Sequence, residues 1–140
     1  MSYKGGVKAK NWEKIKSSED AAKIIYKQWD KDTIYLHESF KVVLLNNSNK
    51  VKGIYQISQG GITGTIVDLR LLFAVVLKSL SVAIILTHNH PSGVLQPSQA
   101  DKNLTDKIRN AADLLDIKLL DHIIVTPDKS YFSFSDEGLL

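Results

Sequence analysis

Apolar residues follow two rhythms along this chain, and the places where one gives way to the other predict its elements. Behind Ser17-Ser18-Glu19-Asp20, the residues Ala21, Ile24, Ile25 and Trp29 recur at helical spacing, which predicts a capped amphipathic helix through about Trp29. Strand-like patterns follow near 39–46 and 50–58. Asn46-Asn47-Ser48-Asn49 between them favours a turn, so the pair reads as a hairpin. Gly60, Gly61 and Gly64 interrupt the next segment, and the Leu-, Val- and Ala-rich stretch from Asp68 to Leu80 reads as a buried helix capped by Asp68. Val82-Ala83-Ile84-Ile85-Leu86-Thr87 is apolar and partly β-branched, the pattern of a buried strand. A helix from about Ser98 to Leu115 and strands near 118–126 and 130–134 complete the series. Such alternation predicts an α/β fold, a mixed sheet covered by helices on both faces. There is no internal repeat and no low-complexity segment.

The strand at 82–87 runs into His88-Asn89-His90-Pro91-Ser92-Gly93, and here candidate chemistry begins. If the extended conformation continues past Thr87, His88 and His90 project to one side, because strand side chains repeat every two residues. Pro91, Gly93 and Pro97 turn the chain back, and Ser98 opens the next helical pattern, which brings Asp101 in its first turn to the same point. Two imidazoles, one carboxylate and a water make a tetrahedral shell for a divalent metal such as zinc. Ser98-x-x-Asp101 is equally a helix-capping signature, and the two readings are compatible because a cap fixes where Asp101 points.

Other histidine-bearing signatures do not fit. The nuclease motif named for His-Asn-His spreads its residues over a longer segment, and no His-Glu-x-x-His is present. Zinc deaminases need paired cysteines, of which this chain has none. At 140 residues the chain is too short for a β/α barrel. A metal-dependent hydrolase also needs a general base. Among Glu13, Glu19, Glu38 and Glu137, Glu38 is the candidate, since it immediately precedes the strand beginning near residue 39. The competing reading is an exposed glutamate at a strand edge.

Glu38, His88-x-His90 and Ser98-x-x-Asp101, with the seven-residue gap between the last two, resemble the JAMM signature of the JAB/MPN+ metalloprotease superfamily. Within it the chain resembles the RadC-type JAB domain, through His88 to Gly93, Pro97-Ser98, Asp101 and Leu120-Asp121-His122-Ile123-Ile124-Val125. The resemblance runs from about Ser18 to the C-terminus. It implies a cytidine-deaminase-like α/β/α sandwich, one zinc held by His88, His90 and Asp101, and Glu38 as general acid/base. It also implies that Ser98 hydrogen-bonds the oxyanion of a tetrahedral intermediate. The implied activity is cleavage of peptide or isopeptide bonds in a peptide or protein substrate. Longer members carry an N-terminal helix-hairpin-helix region associated with DNA, for which this sequence has no room, so the family's DNA-repair label is expected to transfer poorly.

The bulk properties agree with one domain over 18–140, preceded by a basic, flexible arm over 1–17. Absent cysteines fit a reducing, cytoplasmic compartment. No secretory signal or bilayer-spanning run is expected, hence no membrane partner. Net charge is +3, but residues 1–31 hold eight lysines against four acidic residues, and the remainder is slightly acidic. A solvated leader explains the arm. The alternative function uses it: a DNA-associated accessory module with a structural or vestigial metal, contacting phosphates through these lysines. An interaction scaffold is disfavoured by the intact ligand set, and a nuclease by the single carboxylate ligand, since phosphoryl chemistry favours paired metals.

Four further residues stand out, three of them with two readings each. His122 supports the site from behind the ligands or is an ordinary core histidine. His37 should face away from Glu38 and is not a ligand. Arg70 faces substrate or pairs with a carboxylate, and Ser92 shapes its loop or contributes a hydroxyl to substrate.

Overall fold

The structure, a computed structural model, describes residues 12–60 and 66–140. Polar caps and turns set the ends of its elements. Ser17 opens α1 (Ser18–Gln28), its Oγ accepting the Asp20 amide. The hairpin of β1 (Ser39–Leu45) and β2 (Val51–Gln59) is closed by Asn46, whose Oδ1 accepts the amides of Ser48 and Lys50. Asp68 opens α2 (Leu69–Lys78) by accepting the Arg70 amide at 2.9 Å. The remaining elements are β3 (Ala83–Asn89), α3 (Gln99–Leu114), β4 (Lys118–Val125) and β5 (Tyr131–Ser133). The strand predicted to end at Thr87 continues through His88 and Asn89. The glycines at 61 and 64 lie outside the described residues.

The five strands form one mixed sheet in the order β2-β1-β3-β4-β5, with β3 and β4 parallel and all other neighbours antiparallel. Strand alternation sends Phe40, Val42, Leu44, Ile84 and Leu86 to one face, where Leu72, Val75 and Val76 of α2 and Ile108 and Ala112 of α3 cover them. Val43, Leu45, Ile85, Ile123 and Val125 point to the other face and meet Ala21, Ala22, Ile25 and Trp29 of α1. The expected sandwich is therefore present. Side chains such as Ile25, Leu72 and Ile108 are fully buried, each favouring the fold by about 1.5–3 kcal/mol of transfer free energy.

Two features of this frame position the functional site. Because β3 and β4 are parallel, the chain must return to the start of β4, and α3 makes that return. The N-terminus of α3 is thereby placed at the C-terminal end of β3. The second feature is a bulge in β4. Ile84 pairs with Leu119 but Ile85 pairs with Asp121, leaving Leu120 as an extra residue. Leu120 and Asp121 both lie on the α1 face with Ala21 and Ile85. The shift in phase turns the next residue, His122, onto the α2/α3 face, where β3 carries Leu86 and His88.

Of the basic arm expected over 1–17, residues 1–11, with Lys4, Lys8 and Lys10, lie outside the described residues. Further on, the Ile15 amide donates to the Asn49 carbonyl and the Val51 amide to that of Glu13, so this stretch runs along the hairpin with Ile15 buried. Lys23 pairs with Glu19 and Lys27 with Glu13. No helix among the described residues is long and apolar enough to cross a membrane.

Candidate metal centre

His88 and His90 share one side of β3 because the ladder continues beyond the strand, the His90 amide donating to the Val125 carbonyl at 2.9 Å. Asp101 reaches them from the first turn of α3. The Nε2 atoms of the two histidines are 2.9 Å apart, and the Asp101 Oδ2 lies 3.5 Å from that of His88 and 3.6 Å from that of His90. Ligands bonded to a tetrahedral cation at about 2.0–2.1 Å sit about 3.3 Å from one another. The three observed separations bracket that value, so the donors can hold one four-coordinate metal ion with little rearrangement. No other group of three or more such side chains converges in this way among the described residues. His88 is buried, whereas the His90 and Asp101 side chains keep 12% and 21% of their exposure, so solvent reaches the cluster from their side.

Hydrogen bonds behind the ligands decide which nitrogens carry protons. The His90 Nδ1 lies 2.7 Å from the Val94 carbonyl, which can only accept, so Nδ1 is the protonated atom and the neutral ring presents a bare Nε2. A longer chain fixes His88. The Thr105 hydroxyl donates to the Asp101 carbonyl at 2.7 Å, leaving its oxygen to accept from the Nδ1–H of His122 at 2.6 Å. The Nε2 of His122 then accepts from the Nδ1–H of His88 at 2.7 Å. His122 is fully buried between Phe134, stacked at 4.6 Å, and the edge of Phe40. Burial, and then the neighbouring His88, hold it well below the usual histidine range, so it is neutral and the order of protons is unique. In this proton order both histidines aim lone pairs at one point beside a carboxylate, an arrangement that repels itself unless a metal cation or a proton lies within it.

Without a metal a proton is the available cation, and the electrostatics of Asp101 and His90 favour one there. Burial pushes the Asp101 carboxyl up, but His88, His90 and the Ser98 amide outweigh it and hold the group far below the usual carboxylate range. Burial opposes a charge on His90, yet the Asp101 carboxylate, the Val94 carbonyl and the charge of Glu38 together raise it above the usual histidine range.

Ser98 and Asp101 form a reciprocal capping box. The Ser98 Oγ accepts the Asp101 amide at 3.0 Å, and the Ser98 amide donates to the Asp101 Oδ2 at 2.8 Å. The exposed Ser98 hydroxyl keeps its proton for another acceptor. Glu38 is not one of the three converging donors. It precedes β1, whose Phe40 pairs with His88, so continuing that register carries Glu38 towards His90 on the same face. His37 contributes no ligand atom. Arg70 pairs with Asp68 at 3.5 Å, and the Ser92 Oγ accepts the Val94 amide within its own loop. His122 takes the supporting position. Sequence reasoning missed Thr105, although a hydroxyl four residues beyond Asp101, in the inward stripe Thr105, Ile108 and Ala112, was the available signal.

Residues 15–139 match the family model described as the RadC-like JAB domain. The chain is 57% identical over 103 residues to a UPF0758 protein of Flavobacterium johnsoniae, covering 74% of this chain and 44% of that protein. It is 47% identical over 103 residues to a UPF0758 protein of Porphyromonas gingivalis, covering 74% and 45%. Against one from Chlorobaculum parvum the identity is 41% over 103 residues, covering 74% and 46%. The chain spans less than half the length of these curated relatives.

Proposed function

Because the chain belongs to the RadC-like JAB domain family, we propose that it is a zinc-dependent hydrolase of the JAMM type that cleaves peptide or isopeptide bonds. The observation that carries this reading is the order of the donor set: two histidines whose Nδ1 atoms are engaged behind them, so that both Nε2 atoms face one carboxylate at a point reached from the partly exposed side of His90 and Asp101. Two imidazoles and one carboxylate in a four-coordinate shell favour zinc, and a single metal suits acyl rather than phosphoryl transfer. Zinc bound here supplies Lewis acidity, lowering the pKa of a coordinated water to about 7 and polarising the substrate carbonyl.

The protein's own groups supply the rest. His88, His90 and Asp101 hold the ion, and the capping box prevents Asp101 from swinging away. Glu38 accepts the proton of the attacking water and delivers it to the leaving amine. The Ser98 hydroxyl, whose oxygen is already fixed by the Asp101 amide, points its proton at the developing oxyanion.

The test is elemental analysis of the purified protein followed by a screen of fluorogenic peptides and isopeptide-linked conjugates. About one zinc per chain is expected, with hydrolysis that chelation abolishes. Glu38→Gln should keep the zinc and lose turnover. Failure to bind zinc, or substantial turnover by Glu38→Gln, overturns the proposal.

A further inference from the structure

Glu38 has no regular secondary structure to hold it, since β1 begins only at Ser39. Its backbone is nonetheless anchored on both sides by one side chain. Asn89 lies between the two ligand histidines and turns to the opposite face of β3, where it is fully buried. Its Oδ1 accepts the Ser39 amide at 2.7 Å, and its Nδ2 donates to the carbonyls of His37 at 2.9 Å and Ile34 at 2.7 Å. The His37 carbonyl belongs to the peptide unit before the Glu38 Cα, and the Ser39 amide to the unit after it. Both planes that fix the Glu38 backbone are therefore tied to the residue between His88 and His90. The Gly60 amide, donating to the Glu38 carbonyl at 2.9 Å, holds the second plane from the other side.

We propose that Asn89 is the positioning residue for Glu38, a side-chain strut that sets the general base in register with the two histidine ligands. The inference rests on the reading of Glu38 as that base. The chemistry of the strut explains the residue type. One acceptor and two donors must lie in one plane on a short arm, which aspartate fails for want of donors and glutamine by its length. Antiparallel pairing through Phe40 and His88 would continue to Ser39 and Asn89, and here the amide side chain takes over the pairing from the main chain. In so doing it also gathers the carbonyls of the preceding loop.

The chain has four glutamates, so carbon-13 labelling of their carboxyl groups gives a simple spectrum in which Glu38→Gln identifies the Glu38 resonance. In the wild-type protein, one equivalent of zinc should shift that resonance. Asn89→Asp keeps the acceptor for Ser39 and removes both donors. It should still bind one zinc per chain, with the zinc-dependent shift reduced to less than half. A core variant remote from the site, Ile25→Val, should keep the full shift and so separates positioning from general loosening. A full shift in Asn89→Asp overturns the proposal, and so does loss of zinc from that variant, which would make Asn89 a support for the ligands instead. If the wild-type resonance ignores zinc, the general-base reading itself fails and the positioning role falls with it. Should Asn89→Asp not fold, the wild-type side-chain amide protons of Asn89 provide the test. The strut requires hydrogen exchange at least a hundredfold slower than that of an exposed asparagine, and free exchange excludes it.

Discussion

Replacing Thr105 with valine preserves the shape of a buried side chain and removes one oxygen, which makes it a clean probe of how the metal centre is prepared. That oxygen accepts the Nδ1–H of His122 at 2.6 Å, and no other group among the described residues does. Without it, His122 has two choices. It can keep its tautomer and bury an unpaired N–H, at about 1–3 kcal/mol. Alternatively it can move its proton to Nε2, whereupon the Nδ1 of His88 must become the acceptor and the His88 proton moves to the nitrogen that should bind metal. The metal-free protein can take the second route, which leaves a bare nitrogen unpaired in place of an N–H but gives the His88 Nε2–H the Asp101 carboxylate as partner, and so should lose less stability than the zinc-bound protein. The zinc-bound protein is forced into the first, so the cost appears as lost affinity. At about 1.4 kcal/mol per factor of ten, it corresponds to about 5- to 150-fold weaker zinc binding, in line with the 10- to 100-fold effects typical of such supporting groups. Competition against a chromophoric chelator measures the affinity, and thermal melts with and without zinc locate the loss. Thr105→Ser, which restores the hydroxyl, should bind like wild type. An affinity for Thr105→Val within twofold of wild type would refute the ordered-proton account.

Two further outcomes follow from the same geometry. In the metal-free protein His90 titrates above its ordinary value of 6.5, so its contribution to stability is complete below that value and is lost as pH rises through the raised one. Asp101 is depressed, so its contribution persists above the ordinary 3.8 and disappears only as pH falls through its much lower folded value. Zinc must displace the His90 proton, so the gain in melting temperature on adding zinc should grow between about pH 6 and pH 8; a constant gain across that range contradicts the assignment. Ser98→Ala should remove the cap and cost about 1 kcal/mol, a few degrees in melting temperature. It should also slow turnover by about 10²–10³-fold, while Ser98→Thr restores both; equal turnover by the alanine variant removes Ser98 from the reaction.

What the sequence could and could not disclose follows from the range of the interactions involved. The apolar runs of β1 and β3 and the capping residues of all three helices are local signals, and they locate the elements to within a residue or two. His88, His90 and Asp101 were legible because one short segment carries all three. The bulge at Leu120 was not, because Leu119-Leu120-Asp121-His122 reads as ordinary strand alternation, and only the pairing with β3 reveals the extra residue. The face on which His122 lies depends on that bulge, which is why its two roles could not be separated beforehand. Asn89 was hidden for a related reason: its three partners lie 50 or more residues away in sequence. The apolar pattern ends two residues before β3 does because His88 and Asn89 are polar, and their burial depends on partners the pattern cannot show.

Asp101 serves folding and chemistry with the same oxygen, since the Oδ2 that closes the cap on α3 is also the atom offered to the metal. Selection for a stable helix start would preserve Ser-x-x-Asp in a descendant whose histidines no longer hold a metal. The acidic half of the signature is therefore a poor marker of retained activity among diverging copies of this domain. The histidines answer to no such second demand at their Nε2 atoms, and decay of the site should begin there. Since His122 fixes the proton of His88, a substitution at either position disables the same nitrogen, and the two histidines are expected to be lost together.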